Sequence, residues 1–231
     1  MVESGAFATA FIGGLVPSLI WLGFWLFEDR CEPEPKIRIL LTFLAGMAAV
    51  PIALYLERWV MPYASGVALL AVWAVVEETL KFAAAAAFGL SSPAYDEPVD
   101  AIIYLSTAAL GFAAAENALF LFGWLENGSV LQSVAQSDMR FIGATLLHIL
   151  SSATVGLSIA YAFYRSRIVR YDATFIGLVL AIFLHTLFNF FILQLNGNDM
   201  IFAVFLALWA GIVAVLFFTE RIKEPARDYC V

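Results

Sequence analysis

The 231-residue chain is 63% apolar and only 13% charged, and it carries 21 Phe. Soluble domains average about 45–50% apolar and about 25% charged, so a water-soluble globular domain is excluded. The formal net charge of −7, from 12 basic and 19 acidic residues, excludes a general nucleic-acid binder, which needs a basic footprint.

Seven apolar stretches, each long enough to cross a bilayer, account for this composition. In chain order the expected spans are 6–27, 39–56, 64–90, 98–125, 141–164, 173–195 and 200–219. The expected fold class is all-α: one polytopic transmembrane domain over 1–231, in a multi-pass, prokaryotic cell-membrane protein with the lipid bilayer as its solvent. The first span reads as a helix that is retained. Its flank Met1-Val2-Glu3-Ser4-Gly5 has no basic residue, and its apolar run is too long for a signal peptide.

Lys and Arg counts give the orientation. Arg30, Lys36, Arg38, Arg165, Arg167, Arg170, Arg221, Lys223 and Arg227 share one side if seven helices alternate, whereas only Arg58 and Arg140 fall on the other. The rich side is cytoplasmic, which places the N-terminus outside and the C-terminus inside. Cys31 and Cys230 then lie where thiols stay reduced, and no disulfide is expected. Asn127-Gly128-Ser129 matches a glycosylation sequon on the outer side, although a polar turn is the plainer reading. The outer segment 126–140 is a candidate gate or an ordinary amphipathic loop. Trp21, Trp25, Trp59, Tyr63 and Trp124 near span ends read as interfacial anchors.

Charged groups inside spans carry the functional information. Glu77, Glu78, Lys81, Glu116, His148 and His185 all fall within apolar runs, and the chain has no other histidine. Each charge costs roughly 2.5–3.5 kcal/mol at mid-bilayer, so such groups must face one another or a water-filled cavity. Lys81 is four residues after Glu77 and three after Glu78, within reach of either carboxylate on one helix face. One Glu and one Lys suffice for an ion pair that merely eases insertion. The second Glu, pointing about 100° away, is left needing a proton or a partner on another helix.

In Phe112-Ala113-Ala114-Ala115-Glu116-Asn117 a further carboxylate follows three alanines, which allow close helix approach. His148 precedes Ser151 and Ser152, and His185 stacks over Asn189 one turn later. A lone buried His is often a satisfied structural residue. Here two imidazoles and three glutamates fall in one layer, roughly 10–20 Å below the outer surface at about 1.5 Å per residue.

The pattern lacks His-Glu-x-x-His, so a standard zincin site is absent. No Asp lies deep in a span, as Asp100 sits at the cytoplasmic mouth, and Gly89-Leu90-Ser91-Ser92 lies far from both histidines. A carboxylate and an imidazole activating a water, with Asn189 and an imidazole facing the oxyanion, is one use of these groups. Proton conduction and metal binding remain open on the same residues.

Glu77-Glu78-x-x-Lys81, Phe112-x-x-x-Glu116-Asn117, His148 and His185-x-x-x-Asn189 resemble the ordered motif set of the PrsW family of intramembrane proteases. That family is related to the group containing the CAAX prenyl endopeptidases and bacteriocin-processing proteins. The resemblance extends to Glu32-Pro33-Glu34-Pro35 after the first span and to Asp96-Glu97-Pro98-Val99-Asp100, so it runs from the first span to the sixth.

The resemblance implies a membrane endopeptidase making a first, site-1-type cut in a membrane-anchored protein, typically an anti-sigma factor. It implies Glu77 as water-activating base, with Glu116 and His148 beside it. His185 and Asn189 would be the oxyanion pair, and Glu78, Lys81 and Asn117 would act in support. Glu116 stands where the prenyl-endopeptidase branch has a His, which argues against prenylated substrates. This reading requires no cofactor beyond water. A zinc-dependent alternative uses Glu77, Glu116, His148 and His185 as ligands. A proton- or metal-coupled transporter is a third reading; it predicts an inverted repeat or broken helices, neither of which is visible in the sequence.

Overall fold

A computed structural model describes the backbone over 2–30, 32–126, 130–194 and 198–223, and the side chains over 7–30, 32–123, 143–193 and 202–223. Cys31, Cys230, Arg227 and the sequon at 127–129 lie outside the described residues, as do the side chains of Trp124 and Arg140. The described residues form seven α-helices: α1 (Val2–Glu28), α2 (Lys36–Val60), α3 (Gly66–Ala85), α4 (Pro98–Glu126), α5 (Val130–Tyr161), α6 (Arg167–Gln194) and α7 (Asn198–Ile222). A single π-helical turn, Ala86–Leu90, extends α3, and the described residues contain no strand.

Six of these helices are long and apolar enough to cross a membrane. The exception is α3, because Glu77, Glu78 and Lys81 fall within its 20 residues. The expected loop 126–140 is mostly helix. Only 127–129 separate α4 from α5, because the polar residues after Val130 include no Gly or Pro and extend the helix beyond the apolar run.

Helix α4 is the axis of the bundle. Its apolar window is 94% buried, against 22% in α6 and α7. It packs against α1, α2, α3 and α5, while α6 covers α3 and α5, and α7 covers α5. Small residues set these distances. Gly46 of α2 faces the Ala108 carbonyl, and Gly111 of α4 faces that of Phe43, so neither position has room for a Cβ. Gly14 of α1 meets the backbone of Ala114 and Ala118 in the same way. Outward-facing Phe175, Phe183, Val213 and Phe217 leave α6 and α7 apolar on the lipid side.

Of the expected anchors, Trp59 and Tyr63 are exposed, while Trp21 packs against Trp209 with the two rings tilted at 47°. Trp25 is fully buried, in one apolar cluster with Leu22 and Ile103. Proximity to a span end placed it at the interface, but its direction on α1 turns it into the core.

The end of the bundle holding the α1–α2 and α3–α4 connections carries its own acidic cluster. Asp29, Glu34 and Asp100 are all buried there. Tyr104 donates its hydroxyl to Glu34, the Glu34 amide donates to Asp29 at 3.4 Å, and Asp100 accepts the amides of Asp96 at 3.0 Å and Glu97 at 2.7 Å.

Candidate active site

The site begins with two adjacent carboxylates in the middle of α3. Successive helical residues diverge by about 100°, so Glu77 and Glu78 face different neighbours. Glu78 turns toward α5 and α6. Its Oε1 accepts from Lys81 Nζ at 2.6 Å, from His185 Nδ1 at 2.7 Å and from Ser151 Oγ at 3.0 Å. It is 1% exposed and Lys81 is fully buried, so this is an ion pair closed off from solvent. Of the two carboxylates within reach of Lys81, the structure pairs it with Glu78.

Lys81 Nζ also lies 2.9 Å from His148 Nδ1. An ammonium has no acceptor, so Nδ1 supplies the lone pair and the ring proton resides on Nε2. That nitrogen lies 2.7 Å from Glu116 Oε2, which completes a chain from Glu78 through Lys81 and His148 to Glu116. At His185 the order is reversed: Nδ1–H donates to Glu78, and Nε2 faces Glu77 at 3.8 Å. The two rings meet edge to face with centroids 5.4 Å apart, and Phe112 packs against His148 and under Lys81.

Glu77 has no such network. Its Oε2 is buried and accepts no hydrogen bond among the described residues. It lies 3.8 Å from His185 Nε2 and 4.0 Å from His148 Nδ1. A cavity of about 240 Å³ opens beside it. Glu77, Glu116, His148 and His185 line the cavity, as do Asn117 and Asn189. Asn117 is fixed by donating to Thr145 Oγ1 at 3.0 Å. All six catalytic residues expected from the sequence therefore lie in one cluster, with Glu78 behind the cavity wall. Ser91 and Ser92 do not line it.

The structure adds two residues that sequence reasoning missed. Ser151 holds Glu78, a role that its position one turn after His148 does not reveal in the sequence. Glu57 lines the cavity from the last turn of α2, within hydrogen-bonding reach of Glu77 and in the field of Glu116. The apolar run ends at Leu56, so in the sequence Glu57 reads as the first residue of an outer loop, whereas α2 continues to Val60.

One ligand atom each from Glu77, His148 and His185 lie within 4.8 Å of one another, a donor set of the type that holds a catalytic divalent metal. The unpartnered Glu77 oxygen and the carboxylate behind His185 suit such a site. Glu116 is not in this set; it binds the far nitrogen of His148. Lys81 occupies the His148 lone pair that a metal would need.

The family model described as PrsW family intramembrane metalloprotease matches residues 34–218. "Protease PrsW" of Geobacillus kaustophilus is 27% identical over 202 residues, covering 85% of each chain. Its namesake in Clostridioides difficile is 28% identical over 192 residues, covering 79% of each. That of Bacillus subtilis is 25% identical over 188 residues, covering 80% of this chain and 83% of the relative. No solved structure matches the chain at a significant level. With a family model spanning the helices that build the polar cluster and relatives aligned over most of their length, the chain belongs to the PrsW family of intramembrane proteases.

Proposed function

We propose that the protein hydrolyses a peptide bond of a membrane-anchored protein by a glutamate-type mechanism, with Glu77 as the base. The observation that carries this reading is the unpartnered Glu77 Oε2, buried beside the cavity and 3.8 Å from His185 Nε2. A water bridging these two atoms is oriented for attack. As its oxygen bonds to the scissile carbonyl carbon, its proton passes to Glu77. The Asn189 amide, one turn beyond His185, donates to the oxyanion. The C–N bond then breaks as Glu77 returns the proton to the leaving nitrogen. Glu78 fixes the ring of His185, so the oxyanion role shared by His185 and Asn189 in the family analogy falls to Asn189 alone. Lys81, Ser151 and Asn117 hold the acting groups in place.

The cavity lies toward the end of the bundle bearing the α2–α3, α4–α5 and α6–α7 connections. The Lys and Arg distribution puts that end outside the cell, which suits a site-1-type cut in a substrate such as an anti-sigma factor. A second reading is favoured by the spacing of Glu77, His148 and His185. A divalent ion held by them would supply Lewis-acid polarisation and a more acidic water. Both ring nitrogens of His148 are already engaged, which favours the first reading.

The test is cleavage of a single-span substrate by purified protein, comparing wild type, Glu77→Gln and His185→Ala with and without chelator. Chelator-resistant cleavage lost by at least about 10²-fold in Glu77→Gln supports the base. Undiminished turnover in Glu77→Gln overturns it. Chelator-sensitive cleavage with stoichiometric metal in the protein moves the same residues into a metal site.

A further inference from the structure

We propose that Glu57 and Glu116 at the rim of the cavity form a subsite for a Lys or Arg side chain of the substrate, within a few residues of the scissile bond. The inference rests on the protease reading and concerns what that same cavity selects.

Its first support is the charge balance of the lining. Glu57, Glu77 and Glu116 are contributed by three different helices, α2, α3 and α4. The nearest ammonium, Lys81, is fully buried and already engaged by Glu78 and His148. Arg58 follows Glu57 in sequence, but it is exposed and does not line the cavity. The space therefore has three carboxylates and no free cation of its own among the described residues.

The second support is the unpartnered, nine-tenths buried oxygen of Glu77 beneath the rim. With the nucleophilic water on that oxygen, the buried carboxylate still has no cationic partner of its own, and a cation at the rim supplies one.

The position of Glu57 is the third. It sits in the last turn of α2, where the helix dipole is negative and a carboxylate is disfavoured by about 0.3–1 kcal/mol. Glu116 adds like-charge repulsion, while Glu77 lies within hydrogen-bonding reach. The dipole and the Glu116 charge both oppose this placement, so it is explained by what Glu57 faces, Glu77 and the cavity. Glu116, with its side chain 37% exposed, has an open side while its Oε2 holds His148.

The walls indicate which cation fits. Leu70, Trp73, Phe120 and Phe188 line the same cavity. Apolar and aromatic walls below a charged rim suit a long methylene stem with a cationic head. Low-dielectric walls also strengthen the attraction above its value in water.

The test is a substrate scan with the full chain in proteoliposomes. Lys, Arg, Gln and Glu are placed in turn at each position flanking the scissile bond of one single-span substrate, and kcat/KM is measured. Wild type is expected to prefer Lys or Arg over Gln on the order of tenfold at one position. Glu57→Gln compresses that ratio, and Glu57→Lys reverses it in favour of Glu at the same position. The proposal is overturned if charge has no effect at any position in wild type, a result that does not depend on the variants folding. It is also overturned if both Glu57 variants keep the wild-type ratio. Failure of folded wild type to cleave any member of the set removes the protease reading itself, and this inference with it.

Discussion

Glu78 and His185 are 107 residues apart in the chain, yet Glu78 Oε1 and His185 Nδ1 lie 2.7 Å apart in the interior of the bundle. The same oxygen receives Lys81 and Ser151, so one carboxylate ties α3 to both α5 and α6. Removing one member of a buried ion pair leaves the other uncompensated, at a cost of roughly 3–5 kcal/mol. Glu78→Ala is expected to lose stability of that size in detergent unfolding. Glu78→Leu combined with Lys81→Met should recover much of it, because no charge is stranded, while remaining inactive. A double variant no more stable than Glu78→Ala would contradict the ion-pair account.

The two imidazoles present opposite ring nitrogens to their carboxylate partners. Lys81 donates to Nδ1 of His148, leaving the proton on Nε2 for Glu116, whereas His185 uses its Nδ1 proton on Glu78. Nitrogen-15 spectra of histidine-labelled protein are expected to show one neutral ring of each kind. Glu116→Ala should perturb the His148 signals and leave those of His185 largely in place. Two rings of the same tautomer would break the proposed chain of hydrogen bonds.

Close helix crossing is a separate requirement for the site. A Cβ at Gly46 or Gly111 would run into the carbonyl of Ala108 or Phe43 respectively, and both neighbours are backbone that cannot swing aside. Gly46→Ala and Gly111→Ala are each expected to cost about 1–3 kcal/mol by separating α2 from α4. Gly23→Ala, on an open surface, should cost nothing comparable and serves as the control. Thermal unfolding of the three variants side by side checks the ordering.

The acidic cluster at the far end of the bundle predicts a pH dependence. Burial, with Asp100 adding to it, raises Asp29 to about 7. Burial likewise raises Glu34 to about 8, against a smaller opposing effect from Tyr104. For carboxyls raised on folding, the stabilisation is fully present below their ordinary range near pH 4 and is lost as pH rises through about 7 to 8. Hydrogen exchange around Asp29 and Glu34, corrected for intrinsic rates, should therefore show weaker protection at pH 9 than at pH 6. Equal protection at both values would rule out docking through protonated carboxyls.

The sequence by itself determined the class of protein and most members of the buried polar cluster. Membrane insertion depends on the composition of a local run, so apolar stretches and the ionisable groups inside them are legible without any contact. Glu77, Glu78, Lys81, Glu116, His148 and His185 stood out because each is expensive where it sits. The ends of helices were less legible: hydropathy marks the apolar run, while the helix of α5 continues through polar residues back to Val130. Partnership was decided only by the tertiary structure. Which Glu meets Lys81, which nitrogen of each His is occupied, why Trp25 is core and why Glu57 faces the cavity all depend on the rotation and crossing of helices. Those are set by small residues such as Gly46 and Gly111 meeting carbonyls far away in the chain. No local run encodes a direction that a helix acquires only by packing against another.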